Sequence, residues 1–269
     1  MNPAQELLGV RLEPAPVRLV SASPRVVVLL YAGILGTAEA LLALGWLMPS
    51  LSLHVLVLVA ALVQFALGSN ARYARALVVF ALLALLRILS LSLPLGSLSP
   101  VYLNLLVLIP LLAGIWLSSR LLKLSPQALG LRRSAWWAQL LIAVSGLPIG
   151  LVAYLFLRSQ PFALNNPLPF IPVMGVLLLT GLVEELLFRG MLAQVFSEIL
   201  GTMGLVLSAI LTGAMYFATL SPILAVWMAA VGLVFAVWFR HTRSIWGLGL
   251  AHGVMNVILT FGIPGLGLT

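Results

Sequence analysis

Two adjacent carboxylates and an arginine stand in the run Val183-Glu184-Glu185-Leu186-Leu187-Phe188-Arg189-Gly190, inside a chain that tolerates almost no charge. The sequence holds six acidic residues, all glutamates, and two of them are side by side here. A charge at membrane depth costs about 2.5–3.5 kcal/mol on insertion scales, so such a group should have a partner or a task. On a helix Glu185 and Arg189 are i,i+4 neighbours and can pair. Glu184 points about 100° away from Glu185, because a helix turns once in 3.6 residues. One carboxylate is expected to be neutralised within its own helix, and the other to face something else.

Further polar residues fall at a matching depth. Thr212 and Tyr216 lie two and three turns into one apolar run, and His252 and Asn256 lie two and three turns into another. Glu184 and Glu185 lie about two turns from the corresponding end of theirs. Seven residues of helix rise about 10 Å, so the three sets share one membrane layer. His252 and Asn256 are i,i+4 and share a helix face. A buried glutamate with a histidine can activate water, as a general base or through a bound metal. An asparagine amide can donate to a developing oxyanion. Together these groups describe hydrolysis of a carbonyl compound within the membrane.

The elements that must carry these groups are membrane helices. The chain is 62% hydrophobic and 7% charged, with a mean hydropathy of +1.19, where soluble domains carry about 25% charged residues. The expected fold is an all-α polytopic transmembrane helix bundle of about nine spans, near 26–47, 53–68, 76–93, 101–118, 136–157, 173–192, 205–220, 223–239 and 245–262. With a cytoplasmic N-terminus, the inside segments hold Arg11, Arg18, Arg25, Arg72, Arg75, Arg120, Lys123, Arg132, Arg133, Arg189, Arg240 and Arg243. The outside segments hold only Arg158, which is the asymmetry of the positive-inside rule. The net charge of +8 is thereby placed on loops, with no basic groove for nucleic acid. Cysteine is absent, which excludes disulfides, Cys-zinc sites and thiol catalysis.

Residues 1–25 are expected to form a cytoplasmic arm rather than a cleaved signal, because no apolar core precedes Val26. A front section of four spans over 26–118 leads into a cytoplasmic linker, 119–135, and then a five-helix section, 136–269. Trp136 and Trp137 mark the seam as interfacial anchors. Ser159–Pro172 is expected to be an irregular external loop. Glu39 and Arg87 are candidates to pair across the front section. His54 is expected at the lipid interface. Gly33/Gly36 and Gly146/Gly150 are spaced for close helix contacts.

These motifs resemble the CAAX-protease and bacteriocin-processing (CPBP, or Abi) intramembrane peptidases, which include the Ras-converting type of CAAX prenyl endopeptidase. The resemblance covers roughly Leu129 to Phe261. Two glutamates, three residues and an arginine are met by Glu184, Glu185 and Arg189; histidine, three residues and asparagine are met by His252 and Asn256. Leu129-Gly130-Leu131-Arg132-Arg133 and Arg243-Ser244-Ile245-Trp246 stand in the places usual for the family. The middle motif, phenylalanine, three residues and histidine, is not met. Counting from Ser208-Ala209 puts Thr212 and Tyr216 there, and a frame on Phe217 puts Ser221 in the histidine place.

The resemblance implies a peptide-bond hydrolase whose catalytic set is Glu184, Glu185, Arg189, His252 and Asn256, with a divalent metal such as zinc on Glu184 and His252 if it is active. Its implied setting is a prokaryotic plasma membrane, with lipids, a membrane protein or a prenylated peptide as partners. Without the middle histidine, the expected role is a catalytically impaired binding or scaffold subunit. The alternatives are an active intramembrane endopeptidase and a lipid-handling or transport protein.

Overall fold

The computed structural model of the chain describes residues 23–67, 71–93, 100–157, 170–219 and 221–261. Most of the N-terminal arm, Arg158 and the external loop up to its last residues lie outside the described residues. Long apolar runs without charges form helices, because a membrane-embedded backbone must satisfy its own hydrogen bonds. In chain order these are α1 (Pro24–Ala43), α2 (Leu47–Ala66), α3 (Ala71–Ser92) and α4 (Pro100–Leu121). Helix α5 is broken at Ser145 into Trp136–Val144 and Gly146–Leu157. Helix α6 runs through Phe170–Glu185, a π-helical stretch Leu186–Ala193, and Gln194–Leu200. Helix α7 (Thr202–Ala214) ends in a 3₁₀ turn, Met215–Thr219, and α8 (Pro222–Thr242) and α9 (Trp246–Phe261) complete the bundle.

Each of the nine expected spans meets one of these helices. Among the described residues, seven helices are long and apolar enough to cross a membrane, while α7 and α9 are shorter. Residues such as Leu29, Leu56 and Ile109 point outward and are more than half exposed. A bundle apolar on its outside as well as its inside is built for lipid. The fold is an all-α polytopic bundle.

Several boundaries differ from the sequence expectation: α1 ends earlier, α3 starts earlier, Phe170–Pro172 open α6 rather than ending the external loop, and the two largest shifts are in α2 and α6. Helix α2 starts at Leu47 rather than Leu53, because Pro49 falls in its first turn, where no helical amide bond is lost. Helix α6 continues to Leu200, because its last turns bury Val195 and Phe196 while Glu198 reaches Arg75 at 2.9 Å. Gly201, at φ +66°, then reverses the chain into α7.

Helix α3 is central to the front helices, with Leu77, Val79, Phe80 and Leu83 fully buried. Its Phe80 ring lies 5.1 Å from Tyr31 of α1 and 5.4 Å from Phe196 of α6, so one core joins front and back helices. Helix α9, which carries His252, is held between α5 and α6 by backbone-to-backbone contact. A Cβ on Gly253 would lie 2.6 Å from Leu178 Cα, and one on Gly249 would lie 2.8 Å from Leu182 Cα. A Cβ on Gly181 would strike the Gly253 amide, and one on Gly146 the Ala251 carbonyl. Between membrane helices, where lipid is as apolar as leucine, such close approach is a main source of association. Gly146 and Gly150 make the contacts their spacing suggests; Gly33 and Gly36 have nothing within 4 Å of an added Cβ.

Gly253→Leu should therefore cost about 1–3 kcal/mol of stability, as overpacking does. Gly33→Ala should stay within about 0.5 kcal/mol of the parent, as substitutions away from packed features do. Thermal unfolding in detergent compares the two, and equal losses would contradict a glycine seam at α9.

Candidate functional site

Glycine packing sets the height of α9, and two further contacts set its entry. The Gln139 side-chain oxygen, on α5, accepts from the Gly247 amide at 2.7 Å and from the Ser244 hydroxyl at 3.2 Å. It thus serves as a cap donated by a neighbouring helix to the open amides at the start of α9. The Ile245 amide donates to the Gly130 carbonyl at 3.1 Å. Gly130 adopts φ +83°, a left-handed conformation that favours glycine, and the Leu129 carbonyl before it lies against Gly190 of α6. The Leu-Gly-Leu-Arg-Arg segment is accordingly a wedge between α6 and α9.

So held, His252 meets both glutamates. Its Nδ1 is 2.8 Å from Glu185 Oε1, and its Nε2 is 3.2 Å from Glu184 Oε2. The same Glu185 oxygen accepts from Arg189 Nη1 at 2.9 Å, the i,i+4 pair expected from the spacing. Arg189 Nη2 donates to the Gly232 carbonyl of α8 at 3.2 Å, and the guanidinium lies 5.3 Å from the Phe235 ring centre. Arg189 thereby ties α6 to α8. The π-helical stretch begins immediately after Glu185. Such stretches in α-helices occur frequently at functional sites.

The middle-motif alternatives separate in space. The Tyr216 hydroxyl, on the 3₁₀ turn after α7, is 3.2 Å from His252 Nε2. Ser221 instead caps α8, its hydroxyl accepting from the Leu224 amide at 3.4 Å. Thr212 donates to the Ser208 carbonyl at 2.8 Å and sits beside Gly232. Of the three, Tyr216 is the one whose side chain reaches His252, while Thr212 and Ser221 bond within their own helices.

A cavity of about 310 Å³ opens beside Glu184, Tyr216 and Asn256. Glu184 is 24% exposed to it, whereas Glu185 is fully buried. The Asn256 amide lines it and has no hydrogen-bond partner among the described residues. The opposite wall comes from the front helices, with Arg87 and Ser90 of α3 and Asn104 of α4. Sequence reasoning missed this wall, although the rule that intramembrane charges seek company pointed at Arg87. Arg87 donates to both Glu39 oxygens, at 2.5 and 2.6 Å, the pairing anticipated for these two residues. His54 is a correction. It is fully buried, with Nε2 3.2 Å from Glu39 and Nδ1 2.8 Å from the Ser50 carbonyl, and not at the lipid interface.

The donor set does not suit zinc on Glu184 and His252. Structural and catalytic zinc sites use at least three protein ligands from Cys, His, Asp and Glu. Among the described residues no group of three or more such side chains is placed to hold a metal. Glu185 is committed to Arg189, and both His252 nitrogens stand against carboxylate oxygens.

Against known families, residues 166–258 match the one described as type II CAAX prenyl endopeptidase, Rce1-like, a segment that takes in every residue of the constellation. No curated protein and no solved structure matches the chain. The similarity to type II CAAX prenyl endopeptidases of the Rce1-like kind thus lies in residues 166–258, which carry Glu184, Glu185, Arg189, His252 and Asn256.

Proposed function

We propose that this membrane protein binds a membrane-embedded peptide segment in the cavity beside Glu184 without hydrolysing it, as a scaffold subunit. The observation that carries the reading is the Tyr216 hydroxyl at 3.2 Å from His252 Nε2. That contact closes the imidazole edge that would otherwise help to hold an attacking water. A phenol, with a pKa near about 10, is a poor base at neutral pH. The cavity keeps what binding an extended peptide requires. Its walls are largely apolar, as at Leu177 and Phe188, and Asn256 and Ser90 can pair with a peptide backbone.

A second reading is favoured by Glu184 and Asn256, which both face the cavity. In it, Glu184 takes a proton from water as the oxygen attacks the scissile carbonyl carbon. The Asn256 amide donates to the oxyanion, and the C–N bond breaks as Glu184 returns the proton to the leaving amine.

A photocrosslinking farnesylated CAAX-type peptide separates the two in the purified protein, Glu184→Gln and Tyr216→His. The scaffold reading expects labelling of the parent without cleavage, and weaker labelling in Leu177→Trp, which fills the cavity. Cleavage by the parent that vanishes in Glu184→Gln would overturn it in favour of the peptidase.

A further inference from the structure

A second cavity, of about 350 Å³, lies away from the carboxylates, between the C-terminal half of α4 and the connection to α5. Its walls include Leu112, Ile115, Leu124, Leu131 and Leu186, and its polar groups are Ser119 and Arg120. That size falls within the range of ligand pockets. Arg120 lies 5.6 Å from the Trp116 ring centre and is exposed, as are Lys123, Arg132 and Arg133 further along the same connection. Trp136 and Trp137, 76% and 58% exposed, follow directly and set this level at the membrane interface.

These four cations have no carboxylate partner among the described residues. Glu39 is taken by Arg87 and His54, Glu184 and Glu185 by His252 and Arg189, and Glu198 by Arg75. An apolar slot in a bundle wall, with an unpartnered arginine on a tryptophan at its polar end, is complementary to one class of molecule. It must carry a hydrocarbon chain and a negative headgroup, and it must be present at the interface. Basic pockets beside membrane helices bind anionic headgroups in this way.

We propose that this cavity seats one acyl chain of an anionic diacyl phospholipid, the chain lying along Leu112 and Leu131 and the phosphate at Arg120. Occupancy bears on the candidate site from behind. Leu186, in the cavity wall, directly follows Glu185, and Leu129, also in the wall, packs its carbonyl on Gly190. The lipid thus supports the turn of α6 that presents the carboxylates, whatever chemistry they perform.

The test uses the full chain in nanodiscs of phosphatidylcholine alone or with phosphatidylglycerol, followed by detergent exchange and mass spectrometry of the lipid retained per chain. The expected result is retention of phosphatidylglycerol in preference to phosphatidylcholine. Its affinity should fall about fivefold in Arg120→Gln, the share of one basic residue near a membrane surface. Arg120→Lys should keep most of it, and Leu112→Trp, which fills the slot but keeps every charge, should abolish it. Equal retention of both lipids by the parent, or retention unchanged in both Arg120→Gln and Leu112→Trp, overturns the proposal. So does equal thermal protection by glycerol 3-phosphate, which would mean a free-phosphate site with no role for the acyl chain.

Discussion

Arg189→Met should lose about 3–5 kcal/mol of stability, the cost of leaving one member of a buried ion pair without the other. Arg189 donates to Glu185 and to the Gly232 carbonyl and packs over Phe235, so the substitution removes the tie between α6 and α8. The larger part of the loss should come from what remains. Glu185 is fully buried, and its Oε2 has no hydrogen-bond partner among the described residues. Without Arg189, the contact with His252 is the one left among the described residues to offset its charge. The double substitution Glu185→Leu with Arg189→Met should recover a substantial share, because an apolar pair leaves no orphan charge. Unfolding of the two single variants and the double variant gives the coupling directly. Additive losses would mean that Arg189 and Glu185 act separately, against the geometry.

That pair was legible in the sequence because it is local: two charges four residues apart on a helix must be neighbours. Contacts between helices were legible only in depth. Counting turns placed Glu184, Glu185, Tyr216 and His252 in one layer, but not which side chain faces which. The spans are apolar on every face, so no polar stripe fixes their rotation. Hence the bridging of both carboxylates by His252 could not be read, nor the π-helical stretch after Glu185, whose apolar residues carry no register of their own. The choice between Tyr216 and Ser221 had a usable signal: a serine followed by proline is a helix start, and Ser221-Pro222 caps α8. His54 was misplaced through a boundary. Starting α2 at residue 53 put it at a helix end, whereas the start at Leu47 carries it two turns inward to Glu39. Gly249 and Gly253 were missed in the sequence, and their partner at Gly181 becomes evident only once α6 and α9 are side by side.

The front helices are tied to the site by charge as well as by packing, and this gives the second large effect. Glu39→Leu should lose about 3–5 kcal/mol, because the buried Arg87 then stands at membrane depth without its carboxylate. Glu39 does not line the cavity beside Glu184, but Arg87 does. With Glu39 in place, two of the three guanidinium nitrogens are fixed by its two oxygens. Removing Glu39 frees the guanidinium and leaves a wall of the cavity with an uncompensated positive charge. Glu39→Leu should accordingly alter labelling by the farnesylated peptide probe as well as lower stability. Glu39→Leu combined with Arg87→Met should restore much of the stability, since neither charge is then buried alone. If Glu39→Leu were destabilised with peptide labelling unchanged, the Glu39–Arg87 pair would serve only to hold α1 to α3. A change in labelling that follows Arg87 through both variants would make the front helices part of the binding site, built from a charge the family-matching segment does not contain.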